Sequence, residues 1–340
     1  MENSKLVVFS SGLIAVFIAG VVLRLAKSVL FPFFLALLIY FILSPVIGFM
    51  IKKLKLSKTL SLVIVLILTF FALYLTGAVM YSSGVTLAKE LPTYSGKLST
   101  LLEEFQDWLN LPKTQLDPLS WIQTLDIGKV GGFVLSSLGT FFSFLSNILL
   151  ILIFLIFMLA GRGRLNVKLQ SAYPAEGSRR LGHVLNKIER EIEKYLAFKT
   201  IICIVSGFVA WVIMAAFGVD FAGLFGIITF LLNYIPNIGS FIAKILPFII
   251  ALVQFDSPWK AVWMLVILII TDGIIGMIIE PRMMGKRLGL SPLAILVALF
   301  FWGWLWGIPG MILAVPIIAV IKIVAENVPS LKLLEALLSK

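Results

Sequence analysis

Apolar runs of eighteen or more residues recur along the whole chain, at 6–26, 28–51, 59–83, 132–160, 196–217 and 261–279. A run of that length crosses a hydrocarbon core of about 30 Å as a helix. Inside lipid, only helices and closed barrels satisfy their own backbone groups. Barrel strands alternate apolar and polar residues, whereas these runs are continuously apolar. The expected fold is therefore all-α, a polytopic integral membrane protein with about six full spans. Of 340 residues, 60% are hydrophobic and 13% charged, and the mean hydropathy is +1.08, far from the balance of a water-soluble domain.

Two further regions, 221–253 and 290–325, are as apolar but broken in the middle. The first contains "NYIPNIGSFIAKILPF", with Asn233, Pro236, Asn237, Gly239 and Lys244. The second contains "FFWGWLWGIPGMILAVP", where Gly303, Gly307, Pro309 and Gly310 interrupt the run. Both breaks show Ile-Pro, then a glycine, an alanine and a closing proline: Ile235 to Pro247 and Ile308 to Pro316. Each is expected to form a helical hairpin broken at Gly and Pro. A helix broken within a membrane frees N–H and C=O groups, which survive only in protein or against a wet cavity. Paired interruptions of this kind are how transporters build a midplane site.

The charge distribution sets the topology. The net charge of +11 sits in loops flanking the apolar runs, which points to membrane orientation and not to nucleic acid. Lys52, Lys53, Lys55 and Lys58 fill one loop, and 161–199 is also strongly basic, whereas 84–131 carries more acids than lysines. With basic loops inside, both termini are cytoplasmic and each broken region enters and leaves from one side. The chain then divides into N-terminal spans 1–83, an extracytoplasmic amphipathic segment 84–131 and a span 132–160. A basic cytoplasmic segment 161–195, a transport core 196–325 and a cytoplasmic tail 326–340 follow. The stretches 96–110 and 178–196 have helical periodicity, the second with a basic face suited to packing on the membrane domain, to anionic lipid or to a neighbouring subunit.

Between the broken regions lies "TDGIIGMIIEPRMMGKRLGLSP". Asp272 falls inside an apolar helix, where a lone charge costs roughly 2.5–3.5 kcal/mol. It reads as a proton- or cation-coupling carboxylate, as half of an ion pair with Lys244, or as a carboxylate near the interface. Glu280 is eight residues on, about 80° around a regular helix and about 12 Å along it, so the two carboxylates are not expected to face one ligand. Asn233 and Asn237 suit ligand contact or helix-to-helix hydrogen bonding. Lys244 could equally snorkel to an interface. Trp302, Trp304 and Trp306 suit an aromatic belt or a substrate platform.

Enzyme and nucleotide motifs are absent: there is no HExxH, GxSxG, phosphate loop or dinucleotide fingerprint. A single histidine, His183, excludes a multi-histidine metal site, and a single cysteine, Cys203, excludes an internal disulfide. No cofactor or metal is expected.

The segments "LLNYIPNIGSFIAKILP", "IIEPRMMGKRLGLSPLAILVALFFWGWLWGIPGMILAVPIIAVIK" and "FPFFLALLIYFILSPVIGFMIKK" resemble the autoinducer-2 exporter family of PerM-like permeases, in order and over nearly the whole chain. Asn233, Pro236 and Gly239, then Pro281, Arg282, Gly285 and Pro292, then Gly307, Gly310 and Pro316 match the family pattern. Lys244 departs from it, standing where a small residue is expected. The resemblance implies an inner-membrane secondary transporter, with members linked to autoinducer-2 export and others to sodium or lithium/proton antiport. The expected function is monovalent cation/proton antiport through a central site between the hairpins, with Asp272, Glu280 and Lys244 as the coupling groups. Export of a small organic signal such as autoinducer-2 is the alternative, and a channel or a non-transporting scaffold a further one. The expected partners are membrane lipids, a small solute or a monovalent cation with a proton, and a second copy of the chain in a homo-oligomer.

Overall fold

The computed structural model describes residues 18, 20–108, 148–161, 175–236, 238–284 and 289–339. Among the described residues there are helices and no strand. In chain order these are α1 (Lys27–Lys52), α2 (Lys58–Trp108), α3 (Ile148–Gly161), α4 (Ala175–Phe217), α5 (Ala222–Leu232), α6 (Ile238–Gln254) and α7 (Pro258–Ile274). A π-helical turn, Ile275–Ile279, leads into α8 (Glu280–Met284), followed by α9 (Pro292–Trp306), α10 (Ile308–Asn327) and α11 (Lys332–Leu338). Five stretches are long and apolar enough to cross a membrane: Lys27–Lys52, Lys58–Glu90, Gly177–Phe217, Pro258–Arg282 and Ile308–Asn327. The fold is all-α and polytopic, as expected. The expected span 6–26 falls mostly outside the described residues, and 132–160 is described only from Ile148.

Two helices run further than the sequence pattern suggested. The span 59–83 and the periodic stretch beyond it form one helix of 51 residues, with Pro92 inside it. Proline removes a single backbone bond, and the bonds on either side carry the helix through. Likewise 178–196 and 196–217 merge into the 43 residues of α4. No Gly or Pro stands between Gly182 and Gly207, so nothing interrupts the helical period there.

The chain divides into two compact units. The first holds α1, α3, the 175–198 part of α4, and α9 to α11. Phe33 of α1 meets the Phe154 ring edge-on at 5.5 Å, and Phe34 lies 5.4 Å from Trp306. The Trp306 indole N–H donates to the Leu23 carbonyl at 3.3 Å. Tyr40 donates to Glu189 at 2.9 Å, and Lys187 pairs with Glu326 at 2.7 Å. The C-terminal helix is tied back where the Ser291 N–H donates to the Leu338 carbonyl at 2.9 Å.

The second unit holds α2, the 199–217 part of α4, α5 to α7, the π turn and α8. Only 11% of the most apolar stretch of α2 is buried, so it presents its side chains outward, as a lipid-facing helix does. In α6 the small residues Gly239, Ala243 and Ala251 point inward, while Phe241, Ile245 and Ile249 point out. Small residues at the contact allow helix backbones to approach closely, the usual way of packing in lipid. The same device joins α4 to α5: a Cβ on Gly207 would meet Phe230 Cβ at 2.7 Å, and one on Gly226 would meet Trp211 Cβ at 2.7 Å.

Each unit contains one of the two broken hairpins, α5–α6 in the second and α9–α10 in the first. Their turns are built alike. A Cβ on Gly239 would fall on the Leu232 carbonyl oxygen, and a Cβ on Gly310 would fall on that of Trp302. In both, a glycine opening the second arm rests directly on the last turns of the first. The shared Ile-Pro and glycine pattern in the sequence thus marks one steric solution used twice.

Candidate functional site

Asp272 and Lys244 form an ion pair. Lys244 Nζ lies 2.5 Å from Asp272 Oδ2 and also donates to the Ser240 carbonyl at 3.0 Å. Their side chains retain 17% and 25% exposure respectively. α6 places Lys244 beside the inward-facing Ala243, and α7 brings Asp272 against it. A charge that lipid penalises is compensated within the protein, the physical requirement set by the sequence.

The pair lines a cavity in the second unit shared with Ser206 of α4, Thr229 of α5 and Thr271 of α7, with Met214 and Leu268 among the apolar walls. About 20 Å³ is open to the centre of a water, room for a single molecule. Thr229 and Thr271 turn their hydroxyls back to the Phe225 and Ile267 carbonyls. Ser206 is buried, and its hydroxyl has no hydrogen-bond partner among the described residues. The site therefore offers an ammonium, a carboxylate and one uncommitted hydroxyl in an apolar frame. It can exchange hydrogen bonds with a small polar molecule once the pair separates.

Glu280 belongs to a second pair. Lys199 Nζ lies 2.7 Å from Glu280 Oε1, with the lysine side chain only 4% exposed. Between the pairs runs the π turn, in which the Glu280 N–H donates to the Ile275 carbonyl five residues back. Pro281 accounts for it: its ring would clash with the Met277 carbonyl of a regular helix, and widening the turn relieves the clash. The expectation of about 80° between the carboxylates assumed a regular helix and is corrected here. One extra residue in the turn makes Asp272 and Glu280 equivalent to positions seven apart, about 20° around the axis.

The remaining candidates are dispersed. Asn233 is buried and caps α5, its N–H donating to the Thr229 carbonyl at 3.0 Å. Pro236 lies in the turn of the hairpin, where its carbonyl accepts from Ile238 at 2.7 Å. Asn237 and Gly285 lie outside the described residues. Pro281 and Arg282 are exposed on α8, while Pro309 and Gly310 open α10 in the first unit. Sequence reasoning missed Lys199, which read as one more charge of a basic loop, and Ser206, an ordinary serine in an apolar run. The only hint for Lys199 was the unbroken helical period that carries it past the loop.

The profile of the AI-2E family transporters matches residues 12–330. The chain is 32% identical over 339 residues to the AI-2 transport protein TqsA of Escherichia coli K12, covering 99% of this chain and 96% of that one. It is 29% identical to the putative transport protein YhhT of the same organism, covering 92% and 88%. It is 22% identical to a sodium-lithium/proton antiporter of Halobacillus andaensis, covering 83% and 85%. The profile match over residues 12–330, the similarity to TqsA and the long apolar helices together show that the chain belongs to the AI-2E transporter family and is a multi-pass membrane transporter.

Proposed function

We propose that this chain is a secondary exporter of a small, hydroxyl-rich organic solute of the autoinducer-2 kind. The observation that carries this reading is the Lys244–Asp272 pair at the wall of the cavity. An ammonium already occupies the carboxylate, so a monovalent cation would have to displace it against a strong local attraction. A neutral polyol need not replace the ammonium and can insert between the two charges. Its hydroxyls can donate to Asp272 and accept from Lys244, while Ser206 offers a further partner. Parting the pair on loading, and closing it on release, links solute occupancy to the arrangement of α6 against α7. The name of TqsA supports the same solute class. The cytoplasmic membrane is the setting, with the lysine-rich ends of the spans on the cytoplasmic side.

A second reading, sodium- or lithium-coupled proton exchange, is favoured by the Halobacillus relative and by two carboxylates near one helix face. One experiment separates the two. Purified protein in liposomes is loaded with autoinducer-2, and efflux is followed alongside an internal pH dye while sodium, lithium or potassium is added outside. Saturable efflux that is lost in Asp272→Asn and Lys244→Met supports export. Cation-specific proton release without solute efflux would transfer the function to antiport.

A further inference from the structure

The first unit contains a separate cleft of about 540 Å³ at the lysine-rich end of α1. Ser44, Gly48 and Lys52 follow one another at four-residue spacing along the helix, and Pro45, Phe49 and Lys53 form the adjacent row. All six line the cleft, so it runs along two neighbouring ridges of α1. Glu193 of α4 closes it from the other side.

Three features suit a ligand that is polar at one end and apolar along its side. Ser44 is 1% exposed, and its hydroxyl has no partner among the described residues. Pro45 brings no N–H to the Phe41 carbonyl one turn back, a second polar group left by the helix. A Cβ on Gly48 would meet nothing within 4 Å, so the floor of the cleft is open there. Lys53 lies over the Phe49 ring at 5.3 Å, which holds its ammonium at the mouth.

Ser44 lies about 12 Å along the helix from Lys52, too deep for a free phosphate at the lysines to touch both. That separation matches a lipid, whose phosphate sits at the interface and whose ester carbonyls lie deeper. We propose that the cleft binds one glycerophospholipid with an amine-bearing headgroup. Its phosphate pairs with Lys52 and Lys53, an ester carbonyl accepts from Ser44, and its amine is drawn to Glu193. Phe49 and Val46, both about half exposed on the same helix, lie alongside the acyl chains. This site is independent of the Lys244–Asp272 cavity, and its test does not involve transport.

The test is native mass spectrometry of the full-length protein in detergent, titrated with phosphatidylethanolamine, with phosphatidylglycerol and with soluble phosphoethanolamine. Phosphatidylethanolamine is expected to be retained most strongly. Ser44→Ala and the pair Lys52→Gln with Lys53→Gln should each weaken it about tenfold, the loss of one good charge-assisted or buried hydrogen bond. Gly48→Leu, which meets no neighbour at Cβ and favours the helix, should keep the fold and abolish retention. Thermal melting of each variant without added lipid reports folding separately. Equal retention in wild type and Gly48→Leu would overturn the proposal, as would tighter binding of phosphatidylglycerol or equal protection by soluble phosphoethanolamine.

Discussion

Asp272 and Glu280, eight residues apart on one interrupted helix, each hold a lysine from a different helix: Lys244 of α6 and Lys199 of α4. The π turn between them brings both carboxylates to nearly one side of the helix axis. Among the described residues, the second unit thus carries a charge pair on either side of a widened turn.

The Lys244–Asp272 pair can be dissected by a double-mutant cycle. Removing either partner alone leaves a largely buried charge, so Lys244→Met and Asp272→Asn should each cost about 2 kcal/mol or more. The double variant should lose less than the sum, because no unpaired charge remains. Thermal melting in detergent checks the stability arm. Transport is expected to fail in all three, and a double variant that still transports would remove the pair from the mechanism.

The π turn gives a sharper test. Met277 is 83% exposed, and one alanine inserted beside it, a residue beyond the one that the π turn already absorbs, should turn Glu280 about 100° from Lys199. A lysine only 4% exposed would then stand unpaired, and stability should fall by about 3–5 kcal/mol. In a Lys199→Met background the same insertion should cost little. An equal cost in both backgrounds would show that the turn serves packing alone.

Gly239→Ala and Gly310→Ala place a methyl group on a backbone carbonyl and should each abolish stable folding. Gly273→Ala and Gly276→Ala meet nothing within 4 Å and should be neutral or stabilise by roughly 0.5–1 kcal/mol. Yield of monodisperse protein in detergent separates the two classes at once.

Tyr94 lies beyond the apolar part of α2, with its hydroxyl 2.8 Å from Asp220 and 3.1 Å from Glu90. Burial, and then the hydrogen bond to Asp220, push its ionisation well above the ordinary value of 10.0. The fold therefore favours the neutral phenol. Its contribution is complete below pH 10 and is lost as pH rises beyond it, because only the unfolded chain then gives up the proton. Tyr94→Phe should cost about 1 kcal/mol at neutral pH and flatten the alkaline limb of a stability profile.

How much of this was legible in the sequence differs residue by residue. Runs of about twenty apolar residues admit one solution in lipid, so helices, multiple crossings and two Gly/Pro breaks followed from hydropathy alone. The partnership of Asp272 with Lys244 was among the sequence's own alternatives, since an apolar helix cannot leave a carboxylate uncompensated. Lys199 could not be matched to Glu280 in the same way. The regular period gave the wrong phase for Glu280, and one residue of slip in a π turn changes which face a side chain occupies. Gly239 and Gly310 were visible as breaks, but that each rests on a carbonyl of its own hairpin depends on the two arms folding back together. Ser206 and Ser44 carried no mark in the sequence at all. Local chemistry and the cost of polar groups in lipid determined the elements and their charges. Which hydroxyls lost their water, and which lysine met which carboxylate, was decided only when the helices packed, because those contacts join residues that no local period relates.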